Sequence, residues 1–212
     1  MAKNENLGFD SLLIHGGMGV DPMGSATVPI YQTSTFAFEN VDEGAKCFAG
    51  ESNGFIYTRI GNPTISALEK QVTILENGYG GIATASGMGA VSSIYMAFLQ
   101  SGDHIVSTDA VYGPSRVIME TYFKRFGVES TYINTGDLEA IKAAIKPNTK
   151  MLYLETPTNP TMALTDIKAA SEIAHQHNLV VIVDNTFCSP YLQRPLDLGA
   201  DVVFHSMTKF LN

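Results

Sequence analysis

The sequence holds little cysteine: Cys47 and Cys188 are its only two, and they stand far apart. Two distant thiols make no disulfide framework and suit a reducing compartment, so a cytoplasmic location is expected. Cations are scarce too. Lys and Arg number 13 against 21 Asp and Glu, a formal net charge of −8, and no stretch is rich in basic residues. A general nucleic-acid or anionic-membrane surface is therefore not expected. An anionic small ligand stays open, because an acidic protein can still carry a locally positive pocket. No apolar run reaches the ~18 residues of a membrane span, and the opening stretch MAKNENLGFDS lacks the apolar core of a signal peptide.

Three chemical signatures are missing as well. There is no G-x-x-x-x-G-K-[ST] phosphate loop and no G-x-S-x-G nucleophile elbow. No Cys/His set has metal-ligand spacing. His175 and His177 are two apart and so point to different helix faces, while His15, His104 and His205 stand alone. No metal is expected.

What is present is a folded chain of 212 residues, 45% hydrophobic and 16% charged, long enough for one substantial core plus an extension. Residues 1–60 are rich in Gly, Ser, Thr and Asn. They read as an extended arm or as a loop-rich lobe, with a short helix at Val41–Ala49 after an Asn40 cap. Beyond residue 61 the pattern becomes regular. Helices are expected at Ile65–Asn77, Gly89–Gln100, Ser115–Phe126, Asp166–His177, and from an Asp137 cap to Ile145. Strands are expected at Gly81–Ala85, Ile105–Thr108, Glu129–Ile133, Met151–Leu154, Leu179–Val183 and Asp201–Phe204. Alternating strands and helices imply an α/β fold, a mostly parallel central sheet with helices on both faces. Leu179–Val183 is apolar at every position, as suits a central strand.

In such sheets ligands bind beyond the carboxyl ends of the strands. Successive strand ends are followed by Ser86-Gly87-Met88-Gly89, by Asp109 and Tyr112-Gly113, by Glu155-Thr156-Pro157-Thr158-Asn159-Pro160, by Asp184-Asn185-Thr186, and by His205 with Ser206-Met207-Thr208-Lys209. Each has a plain reading. Ser86–Gly89 suits a phosphate cradle at a helix start, or a tight turn. Asp184 suits a cationic ring nitrogen or a helix cap. Tyr112 suits ring stacking or ordinary packing, and Asn159 a ligand contact or a turn. Lys209 suits a Schiff base or a solvated surface. Together they match one cofactor, pyridoxal 5'-phosphate. It needs an amine, an anion for its ring nitrogen, a stacking face and phosphate donors.

These stretches resemble the Cys/Met-metabolism (trans-sulfuration) family of pyridoxal phosphate enzymes. Val28-Pro29-Ile30-Tyr31-Gln32-Thr33-Ser34 and Tyr57-Thr58-Arg59-Ile60-Gly61-Asn62-Pro63-Thr64 add to the likeness, which runs from about Ile14 to the last residue. The resemblance implies the large domain of a fold type I enzyme, over residues 61–212, preceded by an arm at 1–60. Lys209 would carry the cofactor and shuttle protons, and Tyr112 would stack on the ring and assist proton transfer. Asp184 would hold the ring nitrogen, and Asn159 would lie near the ring oxygen. Gly87, Met88, Ser206 and Thr208 would bind the phosphate. Tyr57 and Arg59 would reach the phosphate of a neighbouring subunit, making a homodimer the minimal unit and a homotetramer the expected assembly.

The implied activity is a carbon–sulfur lyase. It would remove the γ substituent of methionine, cystathionine or homocysteine, leaving a 2-oxo acid, ammonia and a thiol. The alternatives are γ-replacement, of cystathionine γ-synthase or O-acetylhomoserine sulfhydrylase type, and a non-catalytic truncated cofactor-binding fragment. Pro114 stands where typical bacterial methionine γ-lyases carry cysteine, which counts against a dedicated methionine lyase. Relatives continue past the lysine into a C-terminal domain expected to be absent here, so the 212 residues alone are expected to be inactive.

Overall fold

Asn40, Asn62, Ser86, Asp137 and Asp166 each precede a helix, and each side chain accepts a hydrogen bond from a backbone N–H of the first turn. Such caps satisfy donors that the helix cannot, at about 1 kcal/mol apiece. They fix where the elements of the computed structural model begin. The structure describes residues 7–19 and 21–211. They form two units, one running up to Ala83 and the other from Thr84 onward.

The first unit carries α1 (Phe9–His15), α2 (Val41–Ala49) and α3 (Pro63–Leu75). Pro63 opens α3, where its missing N–H costs nothing. Gln71 on α3 donates to the Leu12 carbonyl at 2.7 Å and accepts from the Gly17 amide, which ties α3 to α1. Asn62 is buried and donates to the Tyr31 carbonyl and to Thr58 Oγ1.

The second unit is a parallel five-stranded sheet in the order β2-β1-β3-β4-β5. The strands are β1 (His104–Thr108), β2 (Glu129–Ile133), β3 (Thr149–Glu155), β4 (Val180–Asp184) and β5 (Val202–Phe204). Its longer helices are α4 (Gly87–Phe98), α5 (Gly113–Thr121), α6 (Leu138–Ala144) and α7 (Ile167–Gln176); α8 (Ser189–Leu192) is one turn. Side chains alternate across β3 as its period of two requires. Met151 and Tyr153 pack with Val91, Tyr95, Met119 and Phe123 from the α4 and α5 side. Leu152 and Leu154 pack with Ile141, Ile167, Ala170 and Ala174 from the α6 and α7 side. Residues 151–154 are fully buried, so each apolar side chain there contributes about 1.5–3 kcal/mol. The sheet is covered on both faces, as the apolar strands imply.

Two sequence expectations fail. Gly81–Ala85 forms no strand. A strand needs a ladder partner, and here the Ala83 amide is spent on Glu69 Oε1 at 2.9 Å while Ile82 stands 88% exposed. Apolar composition alone mimics a strand in that run. The expected helix Ser115–Phe126 is two pieces: α5 ends at Thr121, and a 3₁₀ turn at Phe123–Phe126 comes next, closed by Gly127 in the left-handed region. Phe123 is buried edge-on against Tyr95, with ring centroids 5.4 Å apart. No described helix is long and apolar enough to cross a membrane.

Candidate active site

Parallel strands bring their carboxyl ends to one edge, and the register is close. Glu155 at the end of β3 pairs with Asp184 at the end of β4, which pairs with Phe204 at the end of β5. Beyond that edge lies a cavity of about 290 Å³. Gly87, Met88, Tyr112, Asn159, Asp184, Ser206, Thr208 and Lys209 all line it, as do Ser86, Glu155 and Thr186.

The first wall is the start of α4. Ser86 caps it through a 3.0 Å bond from the Gly89 amide. Gly87 has no room for a side chain: a Cβ there would lie 2.9 Å from Ser206 Cβ and 3.1 Å from Ser206 Oγ. The missing methyl lets the loop after β5 meet the helix N-terminus. There, free N–H groups and the positive end of the helix dipole favour an anion.

Asp184 forms the floor. It is 8% exposed, and its Oδ1 accepts from both the amide and the hydroxyl of Thr186. Burial pushes its pKa up, against the pull of the Thr186 bonds and of nearby His205. Thr186 Oγ1 in turn accepts the Ser206 amide at 2.9 Å, so the loop bearing Ser206, Thr208 and Lys209 is anchored to the carboxylate's own partner. Lys209 and Thr208 are exposed at the cavity wall, and Tyr112 is 48% exposed.

Glu155 is nearly as buried as the core, at 2%. Its Oε2 accepts the Tyr112 amide at 2.6 Å and its Oε1 accepts the Asn159 amide at 3.1 Å. Burial raises its pKa to about 7, the two amides oppose the rise and Asp184 adds to it. Neither Glu155 nor Thr186 carries a role in the sequence reading. The signal for Glu155 was available, since an acidic residue closing an apolar strand is what singles out Asp184.

Tyr57 and Arg59 belong to the first unit. The Arg59 guanidinium lies 5.3 Å from the Tyr57 ring centroid. Both line a groove with Tyr31, Gln32, Ser34 and Thr58. Among the described residues no group of three or more His, Cys, Asp or Glu is placed to hold a metal.

The lining fits pyridoxal phosphate: helix-start amides where a Cβ would intrude suit its phosphate, a buried carboxylate its ring nitrogen, an amine its aldehyde and an exposed phenol ring its flat face. A family model described as Cys/Met metabolism PLP-dependent enzyme matches residues 10–212. The chain belongs to this family.

An L-methionine gamma-lyase of Treponema denticola is 52% identical over 98% of this chain and 52% of its own length. A cystathionine gamma-lyase of Bacillus subtilis is 46% identical, over 95% of this chain and 51% of its own. Among solved structures, metB from Corynebacterium glutamicum has a TM-score of 0.91 at 43% identity, covering 99% of this chain and 53% of that one. A Campylobacter jejuni protein described as a putative O-acetylhomoserine (thiol)-lyase has a TM-score of 0.90 at 35% identity, over 97% of this chain and 51% of its own. It holds N'-pyridoxyl-lysine-5'-monophosphate. The chain spans about half the length of the curated relatives it matches.

Proposed function

We propose that the protein carrying this sequence is a pyridoxal phosphate-dependent carbon–sulfur lyase. It would eliminate the γ substituent of a sulfur amino acid such as methionine, cystathionine or homocysteine. The observation that carries this reading is the convergence of Lys209, Asp184, Tyr112, Asn159 and the α4 N-terminus on one cavity. The relatives named L-methionine gamma-lyase and cystathionine gamma-lyase favour elimination over replacement.

Pyridoxal phosphate, when bound, supplies an aldehyde for amines and a ring that withdraws electrons from the substrate's Cα. The residues divide the remaining tasks. Backbone amides at Gly87 and Met88, with the Ser206 and Thr208 hydroxyls, bind the phosphate. Asp184 keeps the ring nitrogen protonated. With Oδ1 held by Thr186, Oδ2 is the oxygen left to meet that proton. Tyr112 stacks on the ring and offers its hydroxyl to the departing sulfur, and Asn159 orients the ring oxygen. Lys209 Nζ takes the proton from Cα and returns one proton at Cγ.

Tyr57 and Arg59 fit an anion-binding pair for a neighbouring subunit's phosphate. The proposal therefore includes a homodimer as the smallest working unit, a homotetramer as the assembly, and a cytoplasmic location. The 212 residues by themselves, about half the relatives' length, are proposed not to turn over substrate.

The test offers the whole protein methionine, cystathionine, and O-acetylhomoserine with a thiol. Release of thiol and 2-oxobutanoate from the first substrates is expected. Replacement product alone, without the oxo acid, refutes the lyase reading.

A further inference from the structure

We propose that Glu155 is the positioning residue of this site: its carboxylate clamps the backbone of Tyr112 to that of Asn159 and so sets the stacking ring against the amide. The inference rests on the assignment of the cavity to pyridoxal phosphate. Tyr112 is held through its backbone: its carbonyl accepts the Ser115 amide at 2.9 Å and the Arg116 amide at 3.3 Å, bonds that come from its own helix and do not reach Asn159. The Tyr112 side chain is 48% exposed, and the residue sits at the N-cap of α5 without any side-chain capping bond. Its amide has one anchor, Glu155 Oε2 at 2.6 Å. Asn159 is likewise in a loop, and its amide goes to the other oxygen of the same carboxylate at 3.1 Å. One side chain at the end of β3 therefore spans the segments just past β1 and β3.

The chemistry of the clamp requires an ionised acid. A carboxylate accepts on both oxygens. A carboxylic acid or a glutamine accepts fully on one and turns a donor toward the other N–H. Three other titratable groups line the same cavity: Asp184 from β4, the Tyr112 phenol after β1 and Lys209 after β5. Burial, with Asp184 adding, holds the Glu155 pKa near neutrality, at about 7. The clamp accordingly tightens and loosens across the neutral range. A residue that merely satisfied two amides would affect stability. A positioning residue also changes the environment of the bound ring.

The test uses the whole holoprotein and Glu155→Gln. Bound pyridoxal phosphate is quantified by its release, its affinity by absorbance titration, and the setting of its ring by the visible circular dichroism induced per bound cofactor. At about pH 8.5 the variant should keep the wild-type far-ultraviolet spectrum. It should bind the cofactor roughly tenfold more weakly, because Tyr112 and Asn159 are no longer pre-positioned for the ring, with the induced signal at least halved. Toward about pH 6 the two proteins should converge, as the wild type loses the same acceptor by protonation. Equal affinity and equal induced signal at high pH overturn the inference.

If E155Q does not fold, Glu155→Asp decides: it keeps the charge but is one methylene short of the two amides, so at about pH 8.5 it should also lower the affinity and the induced signal per bound cofactor, and equality with the wild type overturns the proposal. Wild-type protein that binds no cofactor defeats the site reading itself, an outcome distinct from either.

Discussion

Replacing Gly87 by alanine sets two effects of known sign against each other. Gly87 occupies the first turn of α4 and its φ is not in the left-handed region. Alanine there would ordinarily stabilise by about 0.4–1 kcal/mol through the unfolded chain. The structure opposes this. The new methyl would meet Ser206 Cβ at 2.9 Å, Oγ at 3.1 Å and Cα at 3.3 Å. Ser206 cannot swing aside freely, because its amide is bonded to Thr186 Oγ1, which is itself bonded to Asp184. Overpacking of this kind costs about 1–3 kcal/mol, so after the gain is subtracted the net cost is roughly 0–2.6 kcal/mol, about 1.3 at the midpoints.

The loop also moves by some tenths of an ångström. The Ser206 hydroxyl would then shift away from the α4 amides with which it is proposed to bind the phosphate. Losing one charge-assisted bond weakens cofactor binding roughly 10- to 100-fold. Urea unfolding and an absorbance titration with pyridoxal phosphate measure both. A Gly87→Ala protein as stable as wild type or more so, with unchanged affinity, would mean that the Ser206 contact neither limits this position nor shapes the anion site.

Asp184→Asn keeps an oxygen for Thr186 but loses the charge proposed to face the ring nitrogen. Turnover should fall at least roughly 100-fold while cofactor still binds, and steady-state kinetics on the reconstituted protein check it. His104 is fully buried, with Nδ1 and Nε2 each 2.8 Å from the hydroxyls of Thr149 and Thr131. Desolvation, with Lys146 adding, lowers its pKa below the free value of about 6.5. A depressed histidine stabilises the fold above its unfolded pKa, and that contribution is lost as pH falls through the folded value. Below about pH 6.5 the wild-type Tm should therefore drop more steeply than that of His104→Asn, and parallel slopes in a melting series would contradict this. Leu152→Ala empties a fully buried position in β3 and should cost about 2–5 kcal/mol in urea unfolding, with the far-ultraviolet spectrum retained.

Strands were legible where apolar character, length and a turn just beyond agreed, as at Val180–Asp184. The same local signal misleads at Gly81–Ala85, because pairing is non-local: the Ala83 amide has found a carboxylate instead of a strand. Tyr112, Asn159, Asp184 and Ser206–Lys209 were legible as neighbours because β1, β3, β4 and β5 are parallel and bring their carboxyl ends to one cavity; Ser86–Met88 reach it from the start of α4, with no strand before them. Glu155 carried the same signal as Asp184, an acidic residue closing an apolar strand, but its role escaped because its partners are two backbone amides, one of them 43 residues away, which leave no mark in sequence. Thr186 escaped for a similar reason: its hydroxyl joins Asp184 to the Ser206 amide, a link that exists only when β4 and β5 lie side by side. Short elements such as α8, at four residues, span a single helical turn, so no position recurs to show a periodicity.

Every role proposed for the cavity depends on Lys209 being the amine that holds the cofactor. Incubation of the protein with pyridoxal phosphate, borohydride reduction and peptide mass mapping test this directly. A single pyridoxyl label is expected, on the peptide bearing Lys209, together with its loss in Lys209→Ala. A label on another lysine, or none on soluble folded protein, would contradict that assignment.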